Sequence, residues 1–403
     1  MTTPTTTQSS VARMPLRPLL LLALAVFVSV TSQFLPAGLL PLIADGLVAS
    51  EAAVGMLVGV FSVAAVVTAA LIPTLLRVVS HKTLLVVALG IMALANVGSW
   101  SAPSYELLAG ARVIAGLAHG MFFSLSNAYA AHLVPREKLG RALAIITGGL
   151  TVSFVAGIPL GTALGQAVGW RLAFLVLAAV IASLTLALMV ALPGVPRVTN
   201  DESSTPRVST LKDPSLIAVI LAALVVVLAL AGHNTFYVYI APYLIDSAGF
   251  QLSAVALLLF VFGAAGAIGQ FGGGLLGDRF PRSGAMVTIA IVALALGILG
   301  VFPASPVLVV VVLVFWAAAF GGYPPLLHAR ALRAASPRLR DVSASLLTVG
   351  INLGIGSGAV LGGLLYEPLG LSGLAIAGAL VCLAAMAVSG YGDWRTIRQE
   401  SSL

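Results

Sequence analysis

Residues 172–192, LAFLVLAAVIASLTLALMVAL, carry no charge, and they run directly into PGVPRVTNDESSTPRVSTLKD at 193–213. The first piece is a rod. A helix crosses roughly 30 Å of hydrocarbon with about 20 apolar residues and satisfies its own backbone polar groups on the way. The second piece, rich in Pro, Ser and Thr with mixed charge, reads as a flexible linker. Outward from this boundary the same alternation of apolar rod and polar joint recurs in both directions. Composition agrees: 8% of residues are charged, against about 25% in soluble domains, and mean hydropathy is +1.11. The solvent of this chain is lipid.

Twelve spans are predicted. Those before the linker are Leu16–Leu42, Ala53–Leu76, Leu84–Trp100, Tyr105–Val134, Ala142–Val168 and Leu172–Leu192. Those after it are Leu216–Ile245, Val255–Leu276, Ala285–Phe302, Val307–Leu327, Val342–Leu365 and Leu371–Tyr391. Threaded with the N-terminus inside, eighteen of the twenty Lys and Arg residues fall on the inner side. The outer joints hold Asp45, Glu51, Glu106, Asp246 and Glu367 with Arg171 as their one base. Positive charge resists translocation, so this bias sets the orientation, and an odd number of spans would scramble it. Both termini are expected inside a plasma (bacterial inner) membrane. The net charge of +7 follows from the same bias and from contact with anionic lipid, and does not argue for nucleic acid.

The expected organisation is a disordered tail over 1–15, a six-helix bundle over 16–193, a cytoplasmic linker over 194–213 and a second six-helix bundle over 214–403. Spans two and eight both run inward into short basic joints, IPTLLRVVSHK and GGGLLGDRFPR, which suggests a duplicated unit. Halves related in this way, with a site between them, are the architecture of a rocking carrier. Glycines spaced by four in spans five, eight and eleven keep small residues on one face, where backbones can approach closely. The first apolar run is too long for a signal-peptide core. A single cysteine, Cys382, mid-span, offers no disulfide framework and no metal cluster, and no cofactor is expected.

Charge within hydrocarbon is costly, so an ionisable group there is a functional hypothesis. Arg112 is the one permanent charge at membrane depth, with His119 and Ser126 following at intervals of seven along one helix face, and Asn127 beyond them. Two readings stand. Either Arg112 faces a central cavity and His119 takes a proton or a substrate hydrogen bond, or both are packed structural groups. Further polar stripes lie in span one (Ser29, Ser32, Gln33, followed by the helix-breaking Pro36), span seven (His233, Asn234, Tyr237, Tyr239 and Tyr243, interrupted by Pro242) and span eleven (Ser345, Thr348, Asn352). Hydroxyls, amides and aromatic faces suit a neutral or weakly polar organic molecule better than a bare ion. The chain has no G-x-x-x-x-G-K-[ST] loop, no H-E-x-x-H and no G-x-S-x-G, so no enzymatic constellation is expected. No Asp or Glu lies at membrane depth, so His119, His233 and Asp45 are left as candidate titrating groups.

Several stretches resemble the major facilitator superfamily, specifically twelve-span drug:proton antiporters of the arabinose-efflux-permease and chloramphenicol-exporter group. They are ARVIAGLAHGMFF (111–123), the fifth-span GGLTVSFVAGIPLGTALGQAVGWRLAF (148–174), YIAPYL (239–244) and GGGLLGDRFPR (272–282). The resemblance implies that Gly157, Pro159 and Gly161 bend and seal the fifth span, and that Asp278, Arg279 and Arg282 latch the inner gate. It also implies alternating-access export of a drug such as chloramphenicol, or of a sugar-like compound, by proton antiport and as a monomer. The alternative is an uncoupled facilitator or importer of sugars or nucleosides. Two departures stand out. Leu76 fills the acidic position of the first inner-loop motif, and Gln33, in TSQF, stands where relatives commonly carry the titratable Glu.

Overall fold

The computed structural model describes residues 14–76, 78–194, 213, 215–280, 283–336 and 338–400. The tail expected over 1–15 and the linker expected over 194–213 lie almost wholly outside the described residues.

The described residues form an all-helical protein of twelve membrane-spanning helices in two bundles of six. Span one is Leu16–Gly38, and a short helix, Leu40–Leu47, carries it to the outer surface. Spans two to four are Glu51–Leu75, His81–Ser101 and Tyr105–Leu133. Span five combines Arg136–Val152, a π turn at Ser153–Gly157 and Ile158–Val168, and span six is Trp170–Ala191. In the second bundle, span seven is Leu216–Tyr237, prolonged by Ile240–Pro242 and a π turn at Tyr243–Ser247. Spans eight and nine are Leu252–Arg279 and Gly284–Val301. Span ten joins Pro306–Gly321 to Tyr323–Ala334. Spans eleven and twelve form one run, Arg340–Glu400, divided at Gly370 by a left-handed φ of 64° that favours glycine.

The helix ends follow local chemistry. Ser50 and Ser80 cap spans two and three by accepting the backbone N–H of Ala53 and Thr83, each at 3.2 Å. At the inner surface Lys82 Nζ donates to the Leu192 carbonyl at 2.7 Å, satisfying the end of span six with a cation. Arg330 pairs with Asp393 at 2.9 Å and ties span ten to span twelve. Asp213 accepts the Ser215 hydroxyl at 2.7 Å, and that bond leads the causes holding its carboxyl below the usual range.

In lipid, apolar surface gives helices no reason to leave the bilayer, so association rests on close packing and on interhelical hydrogen bonds. Glycine supplies the close packing. Gly116 and Gly120 press span four onto the backbone carbonyls of Phe61 and Ala65 in span two, where a side chain would collide with main chain. Span eight meets span ten in the same way, through Gly269 against Ala318 and Gly273 against Gly322.

One break was expected in each of spans one and seven. Span one keeps Pro36 inside its helix and breaks instead at Leu39, just before Pro41. Span seven is interrupted beside Pro242 as expected, at Val238–Tyr239. A proline fits the first turn of a helix, where its missing N–H costs nothing, so the chain restarts there.

Candidate functional site

Between the bundles lies a cavity of about 410 Å³. Its wall draws on spans one, four and five of the first half and on seven, eight, ten and eleven of the second. Toward the cytoplasmic ends the lining residues Asn127, Thr147, Gln270 and Thr348 are partly exposed, and His328 is exposed. Toward the outer ends Gln33, Phe34, Asn234 and Phe262 are buried. The hollow therefore opens inward and is closed above.

The roof is aromatic. Phe34 meets Phe154 at 5.3 Å and Tyr237 at 6.0 Å between ring centroids, while Phe262 lies 5.0 Å from both Tyr237 and Trp316. Phe34 and Phe154 belong to one half and the others to its partner, so the halves are joined by Phe34–Tyr237 together with Phe154–Tyr237 at 6.1 Å and Phe154–Phe320 at 6.2 Å. Above the roof, Tyr239 donates its hydroxyl to the Ala359 carbonyl at 3.0 Å and to that of Ala52, across the interface, at 3.4 Å. Tyr366 donates to Glu51, and Gln166 Nε2 to the Leu252 carbonyl at 2.8 Å, both also between halves. Gly263 lets span eight lie on the backbone of Phe154 and Val155. Within the cavity wall itself, Thr151 Oγ1 donates across to Gln270 Oε1 at 2.5 Å.

Of the residues singled out in the sequence, Gln33, His119, Asn127, Asn234 and Asn352 do come together around this one cavity. Gln33 Nε2 donates to Ser62 at 3.0 Å, and His119 Nδ1 lies 2.6 Å from the Ser29 hydroxyl. Asn234 and Asn352 donate their side-chain N–H to the carbonyls of Leu230 and Thr348.

Arg112 does not join them. The expectation that it faces the hollow is corrected here: the guanidinium is fully buried within the first bundle and is absent from the cavity wall. It lies 4.7 Å over the Phe61 ring and 5.5 Å from that of Phe174, and Nη2 donates to Ser32 at 3.3 Å. Its Nε and Nη1 have no partner among the described residues. Seven residues before His119 sets its backbone roughly 10 Å nearer the outer surface, and from there the guanidinium turns to Ser32, next to the wall residue Gln33, behind the Phe61 ring.

Tyr237 and Tyr239 are likewise part of the outer seal rather than the wall. His233 stacks face to face on Phe320 at 3.5 Å and accepts the Trp316 indole N–H on Nδ1 at 3.1 Å. An indole nitrogen only donates, so Nδ1 is unprotonated and the ring is the Nε2–H tautomer.

Gly157, Pro159 and Gly161 sit at and just after the π turn, where Ser153 shares a hydrogen bond with Thr31 and the missing side chains of both glycines make room for Thr31 and Leu35 of span one. Arg279 lies 5.9 Å over Phe280. Arg282 and the side chain of Asp278 lie outside the described residues.

Sequence reading missed Asn96, Ser62, Thr151 and Gln270. Asn96 accepts from Ser32 at 3.0 Å and so extends the polar cluster below Arg112. An amide within an apolar run was a visible signal in span three, as was Gln270 in span eight.

The comparisons with known proteins agree with this geometry. The model of the Major Facilitator Superfamily matches residues 22–251 and 222–397. The chain belongs to that superfamily. An uncharacterized MFS-type transporter of Bacillus subtilis, YtbD, is 31% identical over 93% of this chain and 94% of its own length. The inner membrane transport protein YdhP of Escherichia coli is 32% identical over 92% and 94%. A probable sugar efflux transporter of Helicobacter acinonychis is 28% identical over 94% and 96%. Among solved structures, a bacterial homolog of the human lysosomal transporter Spinster, in an inward-facing and unoccupied conformation, superposes with a TM-score of 0.81. That match covers 94% of this chain and 97% of the other at 18% identity, and so speaks to the fold. The chain is a multi-pass transporter of the bacterial inner membrane.

Proposed function

We propose that this transporter exports a small uncharged organic molecule from the cytoplasm by alternating access, driven by inward proton flow. The observation that carries the reading is the cavity itself: it lies between two bundles, opens to the cytoplasm, is sealed above by residues from both halves, and among the described residues has no Asp, Glu, Lys or Arg in its wall. A sealed roof and an open floor suit loading from within. The lack of a fixed charge disfavours an ion, and the amide and aromatic lining suits a sugar-like compound or a drug such as chloramphenicol. The name of the Helicobacter relative, a probable sugar efflux transporter, supports the same direction and class.

For proton coupling, Gln33 cannot titrate and His233 would have to surrender the Trp316 hydrogen bond to do so. His119 lines the cavity and is the group we assign to proton uptake. Arg112 is assigned a positioning role: through Ser32 and the ring of Phe61 it stands behind the wall that carries Gln33 and His119.

One observation favours a second reading. With Gln33 in place of a carboxylate, an uncoupled facilitator of the same fold is the alternative. Flux into inside-out proteoliposomes with and without an imposed pH gradient separates the two. Flux that ignores the gradient refutes antiport, and a gradient effect that survives His119→Gln refutes the assignment of the proton to His119.

A further inference from the structure

At the outer surface the two halves meet through a carboxylate. Glu51, the first residue of span two, is partly buried and accepts the hydroxyl of Tyr366 at the end of span eleven. Its surroundings fix the contact. The Tyr366 ring packs on that of Tyr239 at 5.4 Å, and Tyr239 bonds the carbonyl of Ala52, the neighbour of Glu51. Holding a tyrosine hydroxyl does not require a carboxylate, since a main-chain carbonyl does so for Tyr239 at Ala359. What a carboxylate adds is a charge that can be removed.

The groups around Glu51 set the sign. Asp45, on the short outer helix of the same half, and Asp246, at the outer end of span seven in the other half, are exposed acids near enough to act on its charge. Tyr105, opening span four, gives its hydroxyl to the Ala53 carbonyl at 3.0 Å, and the exposed Glu106 follows it. Glu367 follows Tyr366 and is exposed. Arg171, the base of the outer joints, lies 4.2 Å over the Trp170 ring and donates to the Ala102 carbonyl at 3.1 Å. Among the described residues no cation pairs with Glu51. Burial and like charge both disfavour an ionised carboxyl, and one hydroxyl donor opposes them. Closing the outer seal takes Glu51 from water and brings the charge of Asp246 toward it from the opposite half; opening reverses both. We propose that Glu51 is a proton-operated latch on the outer gate: neutralised from the outer side it lets the halves close, and on losing its proton it drives them apart. The closed form is therefore favoured at low pH and lost as pH rises. Glu51 does not line the cavity, so it carries no proton across and is distinct from His119.

The latch needs no substrate and holds whichever way substrate moves, so it is tested apart from transport. The full chain in lipid nanodiscs, with Cys382→Ala and spin labels on the exposed Val48 and Ser253 of opposite halves, is measured by pulsed dipolar spectroscopy from about pH 8 to about pH 5. Acidification is expected to raise the ratio of short to long outer distances about tenfold, the effect of one unit of difference in proton affinity between the two forms. Glu51→Gln still offers an oxygen to Tyr366 but cannot ionise; it should hold the short distance at every pH and lose the response. Asp246→Asn should weaken the response. A distance distribution that ignores pH in the unmutated gate overturns the proposal, and that measurement requires no variant to fold. A pH response that survives intact in Glu51→Gln overturns it as well, since a merely structural contact would behave so. Loss of flux in a protein that keeps the response would sink the export reading alone, and flux without the response would sink the latch alone.

Discussion

Gly263→Ala is the perturbation that most directly loads the outer seal. Gly263, on span eight, lies against the first bundle, where a β-carbon would stand 2.7 Å from the Val155 Cα and closer still to the Phe154 carbonyl oxygen. Both obstacles are main chain, so no rotamer change relieves the contact, and the two halves must part locally by several tenths of an ångström. Overpacking of this kind costs about 1–3 kcal/mol. Because the contact is between halves, the cost falls only on the conformation in which the roof is closed, and the equilibrium should move about 5–150-fold toward outer opening. Gly269→Ala is the control. Its β-carbon would lie 2.6 Å from the Ala318 Cα within the same half, so it burdens both conformations alike. Spin labels on Val48 and Ser253, in a background carrying Cys382→Ala, report the outer separation by pulsed dipolar spectroscopy in nanodiscs. Gly263→Ala should populate a longer distance, and Gly269→Ala should lower Tm without moving the distance distribution. An unchanged distribution for Gly263→Ala, or the same shift from Gly269→Ala, would refute the seal.

Three other outcomes follow from the contacts. Arg112→Met replaces a buried, half-unpartnered charge with an apolar side chain of similar length, so stability in thermal melts should hold or rise by up to about 4 kcal/mol while transport is lost; normal flux would refute the positioning role. Tyr239→Phe removes a hydroxyl that ties Ala359 and Ala52 across the roof, and the same spin-label distances should shift about fivefold toward outer opening. Asp393→Asn leaves Arg330 without its partly exposed partner and should cost about 1 kcal/mol in Tm measurements with flux unaffected.

The spans were legible because lipid imposes length and apolarity on every crossing, and Lys and Arg mark the side that stays inside. The break at Gly370 was legible for a related reason: Glu367 and Pro368 beside it cannot lie deep in hydrocarbon at low cost. The interruption beside Pro242 was legible from the proline itself, but the break of span one was not: Pro36 signals one and stays inside the helix, while the chain restarts at Leu40–Pro41 with apolar residues on both sides. The amides of the site could be found residue by residue, since each interrupts an apolar run. Which of them share a hollow could not. Helical spacing placed Arg112 and His119 on one face and was silent on their neighbours, and these decide that His119 lines the cavity while Arg112 is enclosed by Phe61 and Phe174. Likewise Tyr237 and Tyr239 of span seven read as polar, although the Tyr237 ring builds the roof and the Tyr239 hydroxyl bonds carbonyls above it.

Sidedness of access to the cavity is the decisive measurement. The native Cys382 is fully buried, which leaves a quiet background for a cysteine placed at Thr147 on the wall. In sealed right-side-out vesicles, a membrane-impermeant maleimide should leave Thr147→Cys unmodified when added outside and modify it when admitted to the lumen, the cytoplasmic side. Labelling from outside at the rate seen from inside would contradict an inward-open cavity with a closed roof.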